Sequence, residues 1–148
     1  MNMRIVRREK IRYLLSEIDE SLTLIRNNLP ENQDLNDFLA LGLLKDGLYK
    51  RLEYVLQSIF DICAILNRDL KLGIPQNDED ILTNLAKIEI IDARLLDTLR
   101  NMKGMRNILV HQYGRINDEI IFEVLMTKID DIEFFCQSIV KLLDSNQK

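Results

Sequence analysis

The run LNDFLALGLLKDGLYKRLEYVLQSIFDICAILNRDL, residues 35–70, decides the fold. Leu35, Phe38, Leu39, Leu44, Leu48, Leu52, Val55, Ile59, Ile62, Leu66 and Leu70 recur mostly at three- and four-residue steps, the period of one helix face. One long helix is expected. Gly42 and Gly47 each cost about 1 kcal/mol relative to alanine in a helix interior, so a break near Gly42 is the alternative. Gly73 and Pro75 end the run.

The flanks carry the same period. Ile11, Leu14, Leu15, Ile18, Leu22, Ile25 and Leu29 form one amphipathic stripe that should stop at Pro30. PENQD is then a loop, with Asp34 a cap for the long helix. QNDEDILTNLAKI predicts a short third helix, capped by Asn77 or Asp78, with acids in its first turn that suit the helix dipole. Asp92 caps a fourth, which turns Leu95, Leu96, Leu99, Met102 and Leu109 inward and closes at Gly114. Gly104 within it marks either a close approach of a neighbouring helix or a tolerated weak point. Asn117 starts a fifth, with Ile121, Val124, Leu125, Ile132, Phe135, Ile139 and Leu142 on its core face. The expectation is all-α: an up-and-down bundle of about five helices, with residues 1–148 as a single domain.

A chain of 148 residues can bury about 68–70% of its unfolded surface. Hydrophobic content of 47% with 30% charged residues is ordinary for a soluble protein, and five Gly and two Pro favour few, long helices. No apolar run approaches the ~20 residues needed to cross a bilayer, and MNMRIVRREKIRY lacks the apolar stretch of a secretory signal, so a cytoplasmic protein is expected. Cys63 and Cys136 lie far apart in apolar helical patterns and are expected as two reduced, buried thiols rather than a disulfide or a metal pair. Net charge is −4, yet residues 98–117 hold Arg100, Lys103, Arg106 and Arg115 with no acid. The first twelve residues add Arg4, Arg7, Arg8, Lys10 and Arg12 against Glu9 alone. Basic clusters are ordinarily solvated helix faces, so they lend a nucleic-acid reading support and no more.

The fourth helix carries the chemistry. Its end, Arg106-Asn-Ile-Leu-Val-His111-Gln-Tyr113, holds the only histidine in the chain. An imidazole with an unperturbed pKa near ~6.5 gives and takes protons at neutral pH. At about 100° per residue, Asn107 and His111 share a face, and Arg106, Val110 and Tyr113 form the adjoining stripe. Ile108, Leu109 and Met105 point the other way, which leaves an exposed arc of imidazole, guanidinium, amide and phenol. That set suits RNA phosphodiester cleavage. Arginine grips phosphate oxygens and neutralises charge developing on them. Histidine deprotonates a 2′-hydroxyl or protonates the leaving 5′-oxygen, and RNA brings its own nucleophile, so no metal is required. Against this stands the commoner fate of a lone helical histidine, a satisfied structural residue, and spacing alone favours that fate.

On the preceding run, Glu53, Gln57 and Asp61 stand at i, i+4 and i+8. Placed opposite the motif helix they would orient Arg106 or His111; the plainer reading, an ordinary solvated face or dimer-interface hydrogen bonds, is preferred, for Arg51 too. No GxxxxGK[ST] or GxGxxG occurs, a Glu-x-x-His di-metal bundle is excluded by the single histidine, and neither cysteine has a metal-ligand spacing. No cofactor is expected.

GMRNILVHQYGRIND, residues 104–118, resembles the Arg-x4–6-His signature of the HEPN superfamily in its HepT-like form, Arg-Asn-x3-His-x-Tyr. KRLEYVLQSIFDICAIL resembles that family's second helix and LLDTLRNMKGM its approach to the motif, so the likeness covers nearly the whole chain. Members are toxins encoded beside a minimal nucleotidyltransferase (MNT) antitoxin, and form homodimers in which two motif helices meet in a composite cleft. The resemblance implies a metal-independent endoribonuclease. His111 is then general acid or base, Arg106 stabilises charge on the phosphorane, and Asn107 orients the site. Tyr113 is then the residue that the antitoxin can modify with AMP, adding negative charge and bulk that repel RNA phosphate. A second hypothesis makes the chain a non-catalytic helical partner of a nucleotidyltransferase, with Arg106 and His111 in structural hydrogen bonds.

Overall fold

The computed structural model describes residues 5–111 and 117–145, with His111 given by its backbone. Among these residues the chain forms seven α-helices: α1 Arg8–Asn28, α2 Leu35–Leu39, α3 Leu43–Asp69, α4 Asp78–Lys87, α5 Ala93–His111, α6 Asp118–Thr127 and α7 Ile129–Ser145. No strand occurs among the described residues.

The single long helix expected over residues 35–70 is two, α2 and α3, and the break falls at Gly42. Gly42 has φ +62° and ψ −125°, a conformation that a side chain disfavours, and serves as the N-cap of α3. The expected fifth helix is also two. Lys128 (φ −107°, ψ −3°) ends α6 while its N–H still reaches Val124 O at 2.9 Å, and α7 begins at the buried Ile129. No glycine or proline marks this bend. Its cause is tertiary: Phe122 of α6 packs on Phe38 of α2, ring centroids 5.0 Å apart, whereas α7 turns away to lie along α1. The other boundaries follow local chemistry. Leu29, before Pro30, is extended at ψ 151° and stops α1. Asp34, Asn77 and Asn117 each cap the helix that follows by accepting from its first backbone N–H groups.

One buried apolar cluster runs from Val6 to Leu143. Its axis is α3, where Leu52, Val55, Ile59, Ile62, Cys63 and Leu66 are fully buried. On one side α3 packs antiparallel to α1, tied by Arg7 to Asp69 (2.9 Å), Tyr54 to Glu17 (3.2 Å) and Arg51 to Ser21 (3.5 Å). On the other it meets α4 and α5. The returning α7 lies antiparallel along α1, with Arg26 on Glu133 at 2.5 Å and Arg12 on Asp144 at 3.1 Å. Among the described residues no helix is long and apolar enough to cross a membrane.

Candidate nuclease site at the α3, α4 and α5 junction

The site begins with how α4 starts. Asn77 accepts from Asp80 N at 2.9 Å, and Asp80 in turn accepts from Gln76 N at 2.9 Å. Two side chains thus close the first turn reciprocally, in the manner of a capping box. Behind it the buried Asn67 of α3 donates to Gly73 O and accepts from Asn84 of α4, both at 3.0 Å, fixing the connection between the two helices. The two residues between the caps, Asp78 and Glu79, are therefore presented from a rigid turn.

Both reach across to α5. Glu79 takes Arg100 at 2.6 Å and Lys103 at 3.3 Å. The Arg100 hydrogen bond, seconded by Lys103, holds the Glu79 carboxyl below its ordinary range. Asp78 takes Nη2 of Arg106 in a short ion pair. The guanidinium carbon of Arg106 also lies 4.7 Å from the ring centroid of Phe60, a buried residue of α3, and Nη2 reaches Asn107 Oδ1 at 3.4 Å. Three residues of three helices, Phe60, Asp78 and Asn107, thus gather around one cation.

The exposed arc foreseen on α5 is only partly open. Asn107 and Val110 face solvent, but the Arg106 side chain is 14% exposed, covered by Phe60 and Asp78. Leu109 is buried and Met105 and Ile108 half-buried, as the wheel requires. His111 is the last residue of α5; its side chain, Tyr113, Gly114 and Arg115 lie outside the described residues. Among the described residues no helix lies close against Gly104, where an added Cβ meets nothing within 4 Å.

Glu53, Gln57 and Asp61 are engaged locally: Gln57 donates to Asp61 at 2.9 Å, and Glu53 accepts from Lys50 at 3.2 Å. The α3 positions turned to α5 are instead Phe60, on Arg106, and Leu56, beside Met102 and Met105. The described members of the basic N-terminal cluster are also engaged within the fold. Arg7 pairs with Asp69, Arg12 with Asp144 and Arg8 with Leu143 O, while Lys10 sits 5.4 Å from the Tyr13 ring centroid. Burial pushes the thiols of Cys63 and Cys136 up to about 12, with Asp78 adding to the effect at Cys63, so neither is a nucleophile at neutral pH. Among the described residues no three His, Cys, Asp or Glu side chains are grouped to hold a metal ion.

Sequence reading missed Asp78 and Phe60. The acids of NDED are accounted for locally by a helix dipole, while their partners lie in the basic, acid-free run of residues 98–111 that follows in α5.

The sequence pattern of the family described as ribonuclease HepT-like matches residues 18–139. The chain is 37% identical over 92 residues to a Shewanella oneidensis protein named mRNA nuclease HepT, covering 62% of this chain and 69% of that one. Among solved structures it is similar to a chain of a toxin–antitoxin with AMP-PNP, with TM-score 0.79 and 29% identity over 88% of this chain and 97% of that one. It is similar too to a chain of the tri-AMPylated Shewanella oneidensis HEPN toxin in complex with MNT antitoxin, with TM-score 0.78 and 30% identity over 88% of this chain and 96% of the other. With the helical order, an Arg-Asn-x3-His run closing α5 and a match across most of its length, the chain belongs to the ribonuclease HepT-like family.

Proposed function

We propose that this chain is the toxin of a toxin–antitoxin pair and a metal-independent endoribonuclease, acting as one unit over residues 1–148. The observation that carries the reading is a guanidinium fixed by Phe60, Asp78 and Asn107 near the end of α5, five residues before the only histidine. In the proposed reaction the 2′-oxygen of RNA attacks the adjacent phosphorus and loses its proton to a base. Charge grows on the non-bridging oxygens, where Arg106 neutralises it. The P–O bond to the 5′-oxygen breaks, and that oxygen takes a proton, leaving a 2′,3′-cyclic phosphate and a 5′-hydroxyl. His111 serves as base or acid, a role worth roughly 10²–10⁴-fold. A two-fold homodimer brings two such imidazoles to one cleft, so that one accepts while the other donates. Asn107 orients the site.

The partner in this reading is an MNT-type nucleotidyltransferase, and Tyr113 is the acceptor of AMP. The support is the Shewanella oneidensis complex, in which a related toxin is AMPylated and bound to such an antitoxin. A modified phenol two residues from His111 would repel RNA phosphate by charge and bulk.

The test is expression of wild type, Arg106→Ala and His111→Ala in a bacterial host without antitoxin. Growth arrest by the wild type alone supports the reading; equal harmlessness of all three refutes it. Purified protein in excess chelator should still cut RNA to cyclic-phosphate ends, at a rate that follows imidazole titration. One observation favours a second reading, a non-catalytic helical partner of a nucleotidyltransferase. A largely covered arginine, paired with Asp78 and stacked on Phe60, is also what a purely structural residue looks like.

A further inference from the structure

We propose that Asp78 is a positioning residue for Arg106, anchoring Nη2 and so setting which N–H groups of the guanidinium meet a scissile phosphate. The proposal rests on the reading of Arg106 as the phosphate-binding group. Arginine offers five N–H donors in a planar fork. In the structure Nη2 is taken by Asp78, with Asn107 Oδ1 beside it at 3.4 Å. One face lies over Phe60. Among the described residues no hydrogen bond engages Nε or Nη1 of Arg106, so Nη2 is the anchored nitrogen and the N–H groups of Nε and Nη1 are the ones offered to a ligand. The hold is firm because Asp78 follows an N-cap whose turn is closed by Asn77 and Asp80. Arg106 is thereby kept from swinging back along its own helix, at little further loss of rotamer freedom when a phosphate arrives.

An acid beside a phosphate-binding cation has a rival role, a stand-in for phosphate that substrate must displace. The covered Phe60 face argues for positioning. Removing Asp78 would leave a guanidinium still stacked but free to rotate over the ring, whereas a displaced stand-in would have to find new partners on an α4 turn already closed by its own caps.

The experiment uses the purified full chain with a single-stranded RNA, measuring kcat and KM for wild type, Asp78→Ala, Asp78→Asn, Asp78→Glu, Tyr49→Phe and Arg106→Ala, with Tm for each. Misplacing a reacting group by about 1 Å costs on the order of 10²-fold. Asp78→Ala and Asp78→Asn should therefore lose roughly ten- to a hundred-fold in kcat with KM nearly unchanged, and Asp78→Glu should regain most of it. Tyr49→Phe loosens α6 on α3 without touching α4 or Arg106, so it should lower Tm yet keep kcat. Wild-type kcat in both Asp78→Ala and Asp78→Asn, beside an inactive Arg106→Ala, overturns the positioning role and leaves the nuclease reading standing. Faster cleavage by the Asp78 variants overturns it in favour of the stand-in. An equal loss of kcat in Tyr49→Phe overturns it in favour of a general loss of packing. An Arg106→Ala chain as active as wild type removes the nuclease reading itself, and the proposal with it.

Discussion

The guanidinium carbon of Arg106 stands 4.7 Å from the ring centroid of Phe60, and that ring is itself only 3% exposed. A desolvated cation over an aromatic face is attracted by about 0.5–2 kcal/mol. Phe60→Leu keeps an apolar side chain but deletes the face. Denaturant unfolding should show a loss on the order of 1–3 kcal/mol, with cleavage falling further than stability alone explains. Retention of full activity would mean that Asp78 alone holds the cation.

Three cations of α5, Arg100, Lys103 and Arg106, meet two carboxylates of α4, Asp78 and Glu79. Glu79→Gln should release Arg100 and Lys103 to RNA. Anisotropy titrations with single-stranded RNA should then show tighter binding at low salt and a slope of log K against log salt steeper by up to about 0.7 per released cation. An unchanged slope would place both cations away from the bound RNA. Because Arg100 holds the Glu79 carboxyl below its ordinary value of 4.5, what the pair adds to stability is present above that value and lost as pH falls through the folded one.

Tyr49 donates to Asp118 at 2.5 Å and Lys45 pairs with the same carboxylate at 2.9 Å, pinning the start of α6 onto α3. Burial works to raise the pKa of Asp118, but the hydrogen bonds from Tyr49 and Lys45 outweigh it and hold the carboxyl below its ordinary 3.8. Burial, with Asp118 alongside, drives the Tyr49 phenol upward, so it stays a donor throughout the physiological range. Tyr49→Phe should cost about 1–3 kcal/mol at pH 7. The sign follows from a depressed folded value: the wild-type advantage persists above 3.8 and shrinks as pH falls through the lower folded pKa. Urea unfolding at pH 7 and pH 3 reads the difference; an equal gap at both would exclude Asp118 as its source.

Two glycines should respond in opposite directions. Gly104 lies inside α5 with open space where a Cβ would stand, so Gly104→Ala should stabilise the chain by about 1 kcal/mol. Gly42, at φ +62°, should lose on the order of 1–3 kcal/mol as alanine. Chemical denaturation checks both, and a fall in cleavage by a stabilised Gly104→Ala would point to RNA or a second copy lying against that bare stretch.

The helix periods, the caps at Asp34, Asn77, Asp92 and Asn117, and the stop before Pro30 were legible from the sequence because each depends on neighbours within a turn. The bend at Lys128 was not, since it follows from Phe122 finding Phe38 some eighty residues away. Of the residues proposed for the site, Arg106, Asn107 and His111 stand out by the likeness of GMRNILVHQYGRIND to the family motif, since spacing alone favours a structural histidine. Asp78 and Phe60 do not, because their tie to Arg106 joins three helices and no local pattern encodes it. Charge counting lends no more than support for the same reason: Arg7, Arg12 and Arg100 have Asp69, Asp144 and Glu79 opposite them, which no count along the chain reveals.

The antiparallel seam between α1 and α7, clasped by Arg26–Glu133 and Arg12–Asp144, bears on the order of assembly at the ribosome. Every helix that frames Arg106 has been synthesised by residue 111, whereas the flank of α1 formed by Leu15, Ile18 and Leu22 waits for Glu133 and Cys136 of α7 to emerge. Nascent chains therefore carry Arg106 and its partners before the α1–α7 seam can shut, and emergence of α7, rather than of the residues around Arg106, sets the moment at which that seam closes.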